Sequence, residues 1–166
     1  MNFRIGFGYD VHQLVEGKDF WLGGIKVPHT KGAVGHSDAD VLIHVICDAL
    51  LGAANLRDIG YHFSDKDPKY KGIDSKILLK EVMALLRKHH YEVGNIDTTI
   101  CLQLPKVNPH IEEMKQVLSD VMAVAVQDIS IKATTTEQLG FVGRQEGVSA
   151  YCVALIYKVE PNHERN

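Results

Sequence analysis

The chain points to an α+β fold: one domain in which a mixed β-sheet carries its helices on one face. Three observations lead there. Stretches with twofold alternation and stretches with helical periodicity follow one another as β, ββ, α, α, β, α, β, β, with no internal repeat and no linker. A length of 166 residues suffices for one domain with a real core and falls short of two. Folding at this size buries roughly two-thirds of the chain's surface, so neither a disulfide nor a structural metal is required. The domain is expected over 1–159, with the polar tail 160–166 disordered.

The elements follow in order. Phe3 to Gln13 alternates apolar with small or polar residues and reads as a strand. Phe20–Leu22 and Ile25–Val27 flank Gly23-Gly24 as a short hairpin. A loop is expected from Pro28 to His36. Ser37 and Asp38 are capping residues for a helix to about Leu51, stopped near Gly52, with Val41, Leu42, Val45, Ile46 and Ala49 on one side and Asp40 and His44 on the other. A long loop, Asn55 to Gly72, leads to Asp74, the cap of a helix to about Lys88 with Ile77, Leu78, Val82, Leu85 and Leu86 as its apolar stripe. Asn95 to Gln103 reads as a strand, and Asn108 before Pro109 as the start of a third helix. Ile129–Ala133 and Val148–Val159 are the last strands.

Hydrophobic residues at 45% and charged residues at 23% fit a soluble globular protein. A net charge of −3 argues against nucleic acid as a partner, because neutralising phosphates takes a basic face. The most apolar stretch, Val41 to Ala54, is interrupted by His44 and Asp48, so no membrane span is expected. The first ten residues lack the basic head and apolar run of a signal peptide. Cys47, Cys101 and Cys152 are far apart and form no CxxC pair, which fits a reducing cytoplasm. Nine histidines are the compositional oddity.

Asp10 and His12 lie two apart on a strand, so both side chains reach one ion, and oxygen with imidazole nitrogen suits zinc. Taken alone, the pair equally well caps a turn. His44 is the third candidate ligand, with Asp40 as the carboxylate to orient it. Three such ligands leave a fourth position open, as in catalytic zinc sites. Gly35-His36-Ser37-Asp38 is either a phosphate seat at a helix amino end or an ordinary cap, the second being preferred. Thr134-Thr135-Thr136-Glu137 offers hydroxyls and a carboxylate to phosphate and magnesium, or is a threonine-rich edge. Arg144, between Gly140 and Gly147, either reaches a phosphate or stays solvated. Gln103 to Asn108 connects a strand to a helix with backbone groups free to cradle a base, and Asp58-Ile59-Gly60 with Phe63-Ser64-Asp65-Lys66-Asp67 either offer groups to sugar hydroxyls or are a solvated loop.

RIGFGYDVH, GHSDADVLIHVICDALLGAANLRDIG, FSDKDPKYKG followed by IDS, and IKATTTEQLGFVGRQEGVSAYCVALI together resemble the 2-C-methyl-D-erythritol 2,4-cyclodiphosphate synthase family, in its order and over nearly the whole chain. The resemblance implies a homotrimer of α+β subunits whose sheets line a central cavity, with active sites at the subunit interfaces. It implies Zn2+ on Asp10, His12 and His44, and a second ion, Mg2+ or Mn2+, at Glu137. It implies a phosphorus–oxygen lyase of non-mevalonate isoprenoid synthesis: the 2-phosphate of 4-diphosphocytidyl-2-C-methyl-D-erythritol 2-phosphate attacks its own β-phosphate and CMP leaves. His36 and Thr135 match transition-state stabilisers. Substrate contacts match Asp10, His12, His36, Ser37, Asp58, Ile59, Gly60 and Phe63, Ser64, Asp65, Lys66, Asp67. From the neighbouring subunit would come Leu102, Gln103, Leu104, Pro105, Lys106, Val107, Asn108 with Thr134, Thr135 and Thr136; Glu137, Phe141 and Arg144 match further contacts. A phosphodiesterase using a metal-activated water, and a nucleotide-binding module without turnover, use the same residues and remain alternatives at this point.

Overall fold

A computed structural model describes residues 2–160. Its five-stranded sheet runs β4-β1-β7-β5-β6, formed by β1 (Phe3–Glu16), β4 (Lys31–Val34), β5 (Tyr91–Cys101), β6 (Ile129–Thr134) and β7 (Gly147–Lys158). Every pairing is antiparallel except β5 with β6, so the sheet is mixed. The hairpin β2 (Phe20–Leu22) and β3 (Ile25–Val27) stands apart as a two-stranded sheet. The main helices are α1 (Val41–Ala53), α3 (Ser75–Lys88) and α4 (Ile111–Met122), with single turns α2 (Ile59–His62) and α5 (Gly140–Gly143). Of the tail, only Glu160 is described; 161–166 lie outside the described residues.

Alternation along β1 decides how the layers stack. Gly6, Gly8, Asp10 and His12 face α1, and opposite them on β7 stand the small residues Ala154, Cys152, Ala150 and Val148. A Cβ on Gly6 would lie 1.8 Å from Ala49 O, and one on Gly8 2.1 Å from Val45 O, so α1 rests directly on the strand backbone. Ten of its residues are buried, which explains why a helix so apolar all round belongs in the centre. The odd positions Phe3, Ile5, Phe7, Tyr9 and Val11, with Tyr151, Val153 and Tyr157 of β7, form an exposed apolar face on the other side.

Several expectations need correction. Pro28 to His36 is not all loop, because Lys31–Val34 pairs with the end of β1. Helix α1 starts at Val41 and is capped by Asp40, not by Ser37 or Asp38, and it runs past Gly52 to Ala53. Asp40 is fully buried: Ile43 N and Gly23 N donate to its Oδ1, and Gly24 N to its Oδ2 at 2.6 Å. Its carboxylate therefore fills the amino end of α1 and joins the helix to the β2–β3 turn. Burial pushes the Asp40 carboxyl above its ordinary range, against the amide bonds that favour the anion. Ile77 is exposed, and Leu79 and Met83 take the place expected of it in the α3 core stripe. A 3-10 turn, Asn108–His110, precedes α4, and Asn108 makes no cap bond.

Asp40→Asn turns Oδ2 into an amide that faces the Gly24 N–H, donor against donor. Urea unfolding should show a loss of about 1–3 kcal/mol with an unchanged m-value. An unaltered midpoint would show that the buried carboxylate does not fasten helix to hairpin.

Candidate metal centre

Because α1 lies so close to β1, His44 of the helix meets Asp10 and His12 of the strand. His12 Nε2 and His44 Nδ1 each lie 3.0 Å from Asp10 Oδ2 and 3.1 Å from one another. A tetrahedral zinc with bonds of about 2.0–2.1 Å sets its ligand atoms about 3.3 Å apart, so this triangle fits one ion after a small expansion. Asp10 Oδ1 is occupied by Val11 N at 2.8 Å, which leaves Oδ2 for the ion. Gly35 makes room beside the His12 ring, where a Cβ would stand 3.2 Å from Cε1.

Burial opposes charge on Asp10, yet hydrogen bonds from His12 and His44 hold its carboxyl well below the usual carboxylate range. Burial likewise disfavours a charged His44, and Asp10 outweighs it, raising the imidazole. His44 does not bond Asp40 as expected. Its Nε2 lies 3.0 Å from Ser37 Oγ and 3.1 Å from Ser75 Oγ.

The three donors line a cavity of about 350 Å3 together with His36, Ser37, Ile59, Gly60, Phe63 and Asp65, all expected in the site. The open side of the triangle therefore faces a space sized for a small ligand. His36 Nε2 is buried without a hydrogen-bond partner among the described residues. Asp58 caps α2 through Tyr61 N, while Ser64 and Asp67 shape the next turn through Lys66 N and Lys69 N. Asp48, not among the expected residues, lines the same cavity and accepts from Ile59 N at 2.8 Å, fastening α2 to α1. Burial raises its carboxyl. Its signal was in the sequence, for His44 and Asp48, one turn apart, are the two interruptions of the apolar run.

The remaining expected residues gather elsewhere. Leu102, Pro105, Lys106, Val107 and Asn108 with Thr134 and Thr135 line a second cavity of about 240 Å3. Thr135 Oγ1 donates to Glu137 Oε1 at 2.9 Å, Thr136 Oγ1 to Leu139 O, and Gln103 Oε1 accepts from Gln138 N. Leu104 is exposed. Asp10, Ala150, Ile100 and Ala133 lie in one row across the sheet, so three strand spacings, about 14 Å, separate the two groups. Glu137 accordingly stands apart from the Asp10–His12–His44 cluster, which is the three-donor group among the described residues. Phe141 packs against the position of Gly147, and Arg144 pairs with Glu146 at 3.0 Å.

Fold and site together define a small mixed-sheet α+β protein with a three-donor group able to hold a metal ion, beside a cavity sized for a small ligand. Residues 3–157 match the YgbB family. The 2-C-methyl-D-erythritol 2,4-cyclodiphosphate synthase of Porphyromonas gingivalis is 67% identical over 154 residues, 93% of this chain and 95% of its own. A solved 2C-methyl-D-erythritol-2,4-cyclodiphosphate synthase in its CDP-bound form superposes with a TM-score of 0.85 at 35% identity, covering 92% of this chain and 99% of that one. The bifunctional IspDF of Campylobacter jejuni superposes with a TM-score of 0.92 at 37% identity over 95% of this chain, which spans only 43% of that longer protein. The chain belongs to the YgbB family, that of the 2-C-methyl-D-erythritol 2,4-cyclodiphosphate synthases.

Proposed function

We propose that the protein cyclises 4-diphosphocytidyl-2-C-methyl-D-erythritol 2-phosphate to 2-C-methyl-D-erythritol 2,4-cyclodiphosphate and CMP, working as a homotrimer in the cytoplasm. The observation that carries this reading is the Asp10–His12–His44 triangle opening on a cavity beside the unpaired His36, in a chain of this family. A 2-phosphate oxygen bonds to the β-phosphorus, the bond from that phosphorus to the α-phosphate oxygen breaks, and CMP departs with the electron pair. When bound, zinc on Asp10, His12 and His44 and magnesium or manganese at Glu137 supply Lewis-acid polarisation and neutralise the approaching anions.

The protein's own groups hold the two reacting ends together, and no protein nucleophile is needed. His36 Nε2 and the Thr135 hydroxyl stabilise charge on the transferring phosphate, and Ser37 contacts the phosphate. Asp58, Ile59, Gly60 and Phe63–Asp67 hold the methylerythritol unit, while Leu102–Asn108 cradle the cytosine and Thr134–Thr136 the phosphates. Phe141 and Arg144 add outer contacts. The assembly draws support from two features. The apolar sheet face of Phe3 to Val11 and Tyr151 to Tyr157 lacks cover among the described residues, and a gap of about 14 Å, three strand spacings, keeps the nucleotide half from the metal half of one subunit. A neighbouring subunit answers both.

Phosphorus NMR of substrate with the metal-loaded protein tests the reaction. A cyclic diphosphate with CMP is the expected result. A linear phosphate carrying solvent oxygen, or untouched substrate over folded, zinc-loaded protein, would overturn it.

A further inference from the structure

His44 offers its two ring nitrogens to different surroundings. Nδ1 faces Asp10 and His12, whereas Nε2 faces the hydroxyls of Ser37 and Ser75. Ser75 is the first residue of α3 and fully buried. Its Oγ is hydrogen-bonded to Asp38 Oδ1, and its N donates to Asp38 Oδ2 at 3.0 Å. Asp38 is fixed in turn, since its own N donates to Ile73 O at 3.0 Å and its Oδ1 accepts from Asp40 N at 3.2 Å.

Proton counting sets the direction of this chain. A carboxylate only accepts, so the Ser75 hydroxyl donates to Asp38. With its single proton committed, Ser75 Oγ can only accept from His44 Nε2, the nitrogen beside which Ser37 Oγ also stands. A ring that gives its Nδ1 lone pair to an ion keeps its one proton on Nε2, the nitrogen that faces Ser75. We infer that Asp38 and Ser75 are positioning residues that lock His44 in its Nε2–H tautomer and so present Nδ1 to the metal. The inference rests on the metal reading of the triad and goes beyond it, since neither residue touches the ion or the cavity. It also explains why a serine is buried at the start of α3: the relay joins β1, the loop before α1 and α3 around one imidazole.

Zinc affinity is measured by chelator competition in wild type, Ser75→Ala, Asp38→Asn and the double variant, with circular dichroism of each zinc-free protein as the check on folding. Each single change should weaken zinc about 10- to 100-fold, as loss of an orienting partner does. The double variant should lose little more than the worse single one, because both act through one chain of bonds. Proton–nitrogen NMR of the zinc-loaded His44 imidazole gives a second readout, its Nε2–H being shifted downfield by the bond to Ser75. Asp38→Asn, nearly unchanged in shape, can donate to Ser75 Oγ and should weaken that bond and move the Nε2–H resonance upfield. Affinity within twofold of wild type in both single variants, losses that simply add, or an unchanged Nε2–H resonance would overturn the relay. Failure of the wild type itself to take up zinc would overturn the metal reading beneath it.

Discussion

Replacing His44 with alanine is expected to empty the site of zinc and to slow turnover about a thousandfold or more, with the fold left standing. The magnitude follows from what the ion supplies. Lewis-acid stabilisation of a transferring phosphoryl group is worth several kcal/mol, and each 1.36 kcal/mol is about tenfold in rate. Two donors from one strand cannot close a coordination shell that a strand and a helix were folded to complete. The fold survives because the His44 side chain faces the cavity at 12% exposure, so alanine enlarges an existing space and opens no void in the core. Asp10 feels the change as well. Without its His44 bond, desolvation is less well opposed and its carboxyl moves back up towards the ordinary range. Elemental analysis for zinc per chain, circular dichroism for the fold and phosphorus NMR for turnover read the three effects. Full zinc occupancy with turnover intact would remove His44 from the ligand set.

That His44 was legible in the sequence, and its supporting groups were not, has a physical cause. A histidine inside an apolar helix announces itself by its cost, and so does a DxH pair on an alternating strand, because period and polarity are local. Capping is less local. Ser37, Asp38 and Asp40 are all capping types within four positions, and what selects Asp40 is a pair of amides on Gly23 and Gly24, brought up by the hairpin. The same dependence hid Ser75. The triplet Ile73-Asp74-Ser75 lies in one of the family-like stretches, but a serine after a cap residue signals nothing until α3 is docked against α1. Strand β4 escaped notice because Lys31-Gly32-Ala33-Val34 has little β propensity and is a strand only through its partner, the distal end of β1. Glu137 and Thr135 could be read from the sequence only as a candidate phosphate-binding pattern, while their separation from Asp10, His12 and His44 needed the strand order β1-β7-β5-β6.

The glycines of β1 make the site's dependence on backbone contact testable. Gly8→Ala is expected to cost about 3 kcal/mol or more and to abolish tight zinc binding in the same step. The new methyl carbon would stand 2.1 Å from Val45 O and 3.0 Å from Ala49 N, main-chain atoms that no rotamer change can move aside. Relief requires lifting α1 from the sheet, and the strain reaches the upper end of overpacking costs. His44 immediately precedes Val45, so it travels with the lifted turn while Asp10, two residues along β1 from Gly8, stays behind. A zinc site tolerates errors of only about 0.2 Å in its bonds, so a helix displaced by about 1 Å presents its imidazole outside the range of the ion. Gly52→Ala is the matched control, on the same helix with nothing within 4 Å of the added carbon. It should leave zinc binding untouched and raise stability by about 0.5 kcal/mol through helix propensity. Urea unfolding and chelator competition on the two variants decide the matter. Retention of zinc affinity by Gly8→Ala would show that the helix need not touch the strand for His44 to reach the ion, and would break the link drawn between the alternation of β1 and the metal centre.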